Sequence, residues 1–217
     1  MTEKPEGLHC ALAPTTLRPD YRVIADWVTE GSRVLDVGCA NGELLHWLAC
    51  HKQVDGRGLE FEQANVSECL SKGLAVIQGD ANVDLAYYPS KSVDYVVMGH
   101  TLQRMNQPDR ALGELARIGK KVIVSVPNFA YWYNRYHFCF LGRMPVSKNL
   151  PYEWYETPNI HFCSLTDFVR LCDSLNIAIE KRIYVTHQGK AGAFSGQDKL
   201  ANFFGEQGIF MLAPNGD

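Results

Sequence analysis

Residues 33–42 read R-V-L-D-V-G-C-A-N-G, and this stretch decides the fold. A short apolar run (Val34, Leu35, Val37) carries one acidic residue, Asp36, and breaks into a turn holding Gly38 and Gly42. The helical pattern Glu43, Leu44, Leu45, Trp47, Leu48 follows at once. A strand that ends in a glycine turn and feeds a helix sets backbone N–H groups and the positive end of the helix beside a ligand. A second acid, Glu60, closes the next apolar stretch 18 residues after Gly42. At that distance a carboxylate reaches the ribose hydroxyls of a bound nucleotide.

The turn departs from the dinucleotide fingerprint G-x-G-x-x-G. Counted from Gly38, that pattern requires glycines at positions 40 and 43, which are Ala40 and Glu43. Without the third glycine a pyrophosphate is poorly served, and Asp36 would repel it. Asp36 suits a cationic ligand, or the water around one, because a carboxylate accepts charge-assisted hydrogen bonds.

Outward from this motif the chain alternates strand and helix. Strands are expected over 33–37, 54–60, 74–78, 92–98, 122–126, 177–185 and 207–212, with helices over 41–49, 62–71, from Pro108 to Gly119, and from Ser164 to Leu175. Pro19 opens an earlier helix that ends near Gly31. Residues 187–205 are polar and glycine-containing and read as a long hairpin loop. The last two strands, joined without a helix, suggest an antiparallel pair. The pattern predicts a doubly wound, Rossmann-like sheet of seven strands, mostly parallel with one antiparallel strand. Residues 1–16 read as a flexible polar leader and 17–217 as a single domain. Its insertion at about 128–162 is crowded with aromatic residues and interrupted by Pro145, Pro151 and Pro158. Such a segment reads equally as a lid over the strand ends or as a local satellite core or partner surface.

Composition narrows the function. A chain of 217 residues with 46% hydrophobic content buries one good-sized core. A net charge of −3 without a basic cluster gives no electrostatic reason to expect nucleic acid. No apolar run reaches the roughly 18 residues that cross a bilayer. Seven cysteines without a C-x-x-C pair predict reduced thiols and a cytoplasmic location. Cys39, inside the turn, reads as a small turn residue. Histidines 46, 51 and 161 have no metal-ligand spacing, so no metal is expected. His100, after the fourth strand, suits a ligand contact, a base or a packed cap, and no catalytic residue is assigned.

D-V-G-C-A-N-G resembles the first motif of the S-adenosylmethionine-dependent methyltransferases, D-x-G-x-G-x-G, with Ala40 in place of the middle glycine. If that position needs positive φ, alanine there costs on the order of 1 kcal/mol. The resemblance implies a class I methyltransferase type of sheet and S-adenosylmethionine, or S-adenosylhomocysteine, as cofactor. It implies that Asp36, Gly38, Cys39, Ala40 and Gly42 form the cofactor turn and that Glu60 holds the ribose. Asp80 with Ala81 would meet the adenine amino group, and Met98 would face the methionine half.

Longer strings, including L-R-P-D at 17–20, H-K-Q-V-D-G-R-G-L-E at 51–60 and G-R-M-P-V-S-K-N-L-P-Y-E-W-Y-E-T-P-N-I-H-F-C at 142–163, are similar to the MetW family of methionine biosynthesis. That likeness implies a partner that supports homoserine O-acyltransferase (MetX), and Asp36, Glu60 and Asp80, without an evident catalytic group beside them, suggest that such a partner senses S-adenosylmethionine. The alternative it leaves is an active methyltransferase acting on a small molecule.

Overall fold

The computed structural model describes residues 8–147, 150–186, 188–195 and 198–214. In chain order the elements are α1 (Pro19–Trp27), β1 (Arg33–Val37), α2 (Glu43–Lys52), β2 (Asp55–Glu60), α3 (Gln63–Ser71), β3 (Ala75–Gln78), α4 (Ala81–Asp84) and β4 (Val93–Gly99). They continue with α5 (Pro108–Ile118), β5 (Gly119–Pro127), α6 (Trp132–Tyr136), α7 (Leu165–Ser174), β6 (Ile177–Val185), β7 (Ala191–Ala193), α8 (Lys199–Phe204) and β8 (Gln207–Pro214).

The strands form one sheet in the order β3-β2-β1-β4-β5-β8-β6-β7. β1 to β5 are mutually parallel, and β8 runs antiparallel to both of its neighbours, β5 and β6. Both faces of the central strands are buried, so their sequences are mostly apolar, with Asp36 and Ser125 as buried polar exceptions, and alternate residues serve opposite layers. Val96, Met98, Val122, Val124, Phe210 and Leu212 pack with α5 and α7. Val34, Val97, Ile123, Ile209 and Met211 pack with α1 and α2. The strand order reverses between β1 and β4, which opens a crevice at their carboxyl ends.

Local chemistry sets the helix ends. Pro19 and Pro108 stand in the first turns of α1 and α5, where a missing N–H costs nothing. α7 opens with a capping box in which Ser164 Oγ accepts from Asp167 N and the Asp167 carboxylate accepts from Ser164 N.

Among the described residues the sheet has eight strands, not the expected seven. The addition is β7, which pairs antiparallel with the end of β6 inside the stretch expected to be loop. Its sequence, A-G-A, carries no strand signal. Tyr184 pairs with Gly192, where a Cβ would stand 2.6 Å from the Tyr184 ring, so this pairing requires glycine there. The same stretch holds α8, capped by Asp198 Oδ1, which accepts from Leu200 N and Ala201 N. Residues 187, 196 and 197 of the expected loop lie outside the described residues.

The expected leader lies outside the described residues from 1 to 7, while the part from residue 8 onward is fastened to the body. Cys10 and Cys50 form a disulfide across 40 residues of sequence, which corrects the expectation of reduced thiols for that pair. Nothing in the spacing of the two cysteines announces the bond; the meeting of the N-terminal segment with α2 creates it. Cys39, Cys69, Cys139, Cys163 and Cys172 are free thiols.

Candidate functional site: a cleft at the carboxyl ends of β1 to β4

A cleft of about 280 Å³ opens at the carboxyl ends of β1, β2, β3 and β4. Of the residues singled out from the sequence, Gly38, Ala40, Glu60, Asp80 and Ala81 line it.

The turn after β1 is shaped by three residues in the left-handed region: Gly38 at φ 75°, Ala40 at φ 48° and Gly42 at φ 74°. At Gly38 a side chain is excluded outright, because a Cβ would lie 2.4 Å from Thr101 Oγ1. Ala40 adopts the positive φ that the motif reserves for glycine, and its methyl group is exposed on the cleft wall.

Glu60 ties the site together. Its Oε2 accepts from Ala40 N at 2.8 Å, and its Oε1 accepts from Glu62 N at 3.0 Å and Asn65 Nδ2 at 3.2 Å. One carboxylate thus locks the turn to the start of α3. A carboxylate offers about four acceptor positions, so three bonds leave room for a further donor from a ligand. Asp80 caps α4 through Oδ1, which accepts from Asn82 N and Asn82 Nδ2, each at 2.9 Å.

Asp36 lies behind the turn, buried to 4% exposure, on the α1 side of the sheet. Among the described residues no hydrogen bond reaches its carboxylate. Burial pushes this carboxyl up to about 7, the charge of Glu60 adds to the rise, and Arg18 opposes it. A buried carboxyl in this state gains a strong partner from a cation placed beside it.

The other three residues fall elsewhere. Met98 shares its face of β4 with Val96 and is fully buried against the α5 layer. Cys39 packs behind the turn, where its sulfur would touch a Cβ on Gly58 at 2.6 Å. Contact with the Cys69 sulfur, followed by burial, raises the Cys39 thiol above its usual range. Gly42 is the N-cap of α2 and backs onto Leu74 and Cys69.

Several cleft residues carried no signal of their own. Phe61, 64% exposed at the rim, offers an aromatic wall directly after Glu60, and Asn65, Asn82, Thr101, Arg104 and Met105 also line the cleft. Their shared clue is position, since each lies within a few residues of a strand's carboxyl end.

His100 stands at the end of β4 with φ 53°. Its Nε2 lies 2.7 Å from Gln207 Oε1 and 3.6 Å from Asp20 Oδ2, while Arg18 Nη2 donates to Asp20 Oδ2 at 2.9 Å. Burial alone would raise the Asp20 carboxyl; the His100 ring and the Arg18 charge outweigh it and hold Asp20 below its usual value. Among the described residues no group of acidic, histidine and cysteine side chains is arranged to hold a metal ion.

Strand order, crevice and acid-bearing turn together define the class I S-adenosylmethionine-dependent methyltransferase fold. Two solved structures show that fold. One is an S-adenosylmethionine-dependent methyltransferase of Thermotoga maritima, described as a possible histamine N-methyltransferase, with a TM-score of 0.66 and 17% identity over 91% of this chain and 88% of that one. The other is an S-adenosylmethionine-dependent methyltransferase of Archaeoglobus fulgidus, with a TM-score of 0.63 and 16% identity over 88% of this chain and 90% of that one. Within the fold, residues 18–212 match the family of the methionine biosynthesis protein MetW, and the chain belongs to that family. It is also 33% identical over 178 residues to the bifunctional methionine biosynthesis protein MetXA/MetW of Rhodopirellula baltica. The match covers 78% of this chain and 29% of that longer protein. Membership carries a role in methionine biosynthesis.

Proposed function

We propose that the chain binds S-adenosylmethionine or S-adenosylhomocysteine in the cleft and serves as the partner of homoserine O-acyltransferase in methionine synthesis. The observation that carries the ligand reading is Asp36, a buried carboxyl without a hydrogen bond behind a cleft whose walls fit an adenosine. Phe61 offers a stacking surface, Glu60 and Asp80 offer acceptors for hydroxyl and amino groups, and Gly38 keeps the turn low enough for close approach. A sulfonium or ammonium group beside Asp36 would supply the missing countercharge. The partner reading is supported by the Rhodopirellula relative, whose name joins MetXA and MetW in one protein. A partner that carries the pathway's methylated end product reports how much of it is present.

A second reading, methyl transfer to a small acceptor, draws on His100. Its ring is held by Gln207 and Asp20 at the end of β4, one residue before the cleft residue Thr101, and would serve as the base for an acceptor that reached its other nitrogen.

Titration calorimetry of the full chain with each ligand tests the first reading. Binding is expected, with Asp80→Ala weakening it about tenfold and Glu60→Ala by about 10–100-fold. Glu60→Ala also lowers stability because it frees the turn from α3. Absence of heat with both ligands would overturn the reading. Release of S-adenosylhomocysteine on adding a small nucleophile would favour the second.

A further inference from the structure

More than half of the exposed large hydrophobic side chains of the described residues fall between residues 132 and 162. Trp132 is 41% exposed, Phe140 76%, Trp154 68% and Tyr155 66%. Exposed apolar side chains on a monomer are ordinarily scattered, and a contiguous patch marks a contact surface. Here the rings also pair with one another. Tyr136 and Phe140 lie 5.3 Å apart along α6 and its continuation, and Trp154 meets Tyr155 edge to face at 5.5 Å. A recess of about 650 Å³ lies between Leu141 and Met144 on one side and Trp154 on the other. The surface continues onto α8, where Arg135 lies 5.6 Å from the exposed Phe203 ring.

The base of this face is fixed. Phe129 N donates to Cys163 O at 2.9 Å, and Asn134 Nδ2 donates to the carbonyls of Asn128 and Phe129. Ile160 N and His161 N both donate to Gln103 O, at 2.9 and 3.1 Å. A platform held this way loses little freedom on binding, which leaves more of the contact energy as affinity. Among the described residues none of the cleft's lining comes from this segment.

We infer that the face built from residues 132–162 and α8 is the docking surface for homoserine O-acyltransferase, an inference that rests on the function proposed above. In the Rhodopirellula relative, 71% of the protein lies outside the match, and covalent linkage gives the two parts a high effective concentration. A contact between two such parts gains affinity from large, well-packed anchors. Trp and Tyr anchors supply it with few rotatable bonds.

The test uses the full chain, purified homoserine O-acyltransferase immobilised for interferometry, and the variants Phe140→Ser, Trp154→Ser and, as a control remote from the face, Tyr87→Ser. The first two are expected to weaken binding at least about tenfold at an unchanged melting midpoint, and the control to stay within about twofold. Wild-type affinity in both Phe140→Ser and Trp154→Ser would overturn the surface assignment alone, including the case in which those rings join two copies of this chain. Failure of the unmodified chain to bind the acyltransferase would overturn the partner reading and this inference with it.

Discussion

Ala40 holds φ 48° while its amide donates to Glu60 at 2.8 Å. An L-residue in this region costs about 1–2 kcal/mol, and glycine relieves that strain while adding about 0.4–1 kcal/mol of freedom to the unfolded chain. Ala40→Gly is therefore expected to raise the unfolding free energy by about 0.5–1 kcal/mol, read from urea denaturation midpoints at constant slope. A fall in stability would mean that the methyl group packs usefully on the cleft wall. Asp36 gives the second prediction at this scale. Its carboxyl is held near 7 in the folded chain and lies near 4 when unfolded, so the folded state binds the extra proton between those values. Stability from this group is therefore greatest in acid and falls as pH rises from about 4 to 7. Asp36→Asn is expected to flatten that dependence in melts taken across the same interval. A cationic ligand prefers the ionised carboxylate, so its affinity is expected to rise up to about tenfold per pH unit below 7 and to level off above it. Asp36→Asn should remove the slope along with part of the affinity.

Elements differ in how openly the sequence declares them. β1, β4 and β5 are apolar on both faces because helices cover both, and their boundaries fall within a few residues of those read from composition. α7 announces itself through Ser164 and Asp167, and the capping box forms as the spacing requires. Ser164→Ala removes one half of it and is expected to cost about 1 kcal/mol, visible as a lower thermal midpoint with the fold retained by circular dichroism. By contrast α4, β7 and α8 are short and owe their shape to neighbours. Asp80 caps α4, β7 exists through its pairing with the end of β6, and Asp198 caps α8. A stretch of three to six residues has too few side chains to show a period, so local pattern could not separate these elements from loop.

Across the whole molecule, the turn Leu102–Arg104 joins the two surfaces that matter. Thr101, Arg104 and Met105 line the cleft, and Gln103 O accepts the amides of Ile160 and His161 at the base of the aromatic face. A ligand that adds contacts to Thr101 and Met105 steadies that turn. Hydrogen exchange at Ile160 and His161 is then expected to slow several-fold when S-adenosylhomocysteine is added. Protection confined to the cleft would mean that the turn does not carry the signal.

What the sequence alone determined was the alternating sheet, the acid-bearing turn at 36–42 and the acids Glu60 and Asp80 at successive strand ends. All of these follow from local period and from residues adjacent in the chain. Only tertiary structure decided that Met98 enters the core while Gly99 faces α1, because a strand turns successive side chains to opposite layers. It also decided the Cys10–Cys50 bond, the eighth strand, and the gathering of Phe61, Asn65, Thr101 and Arg104 around one cleft. Those outcomes depend on which distant segments meet, and that is settled by how the whole sheet closes against its helices.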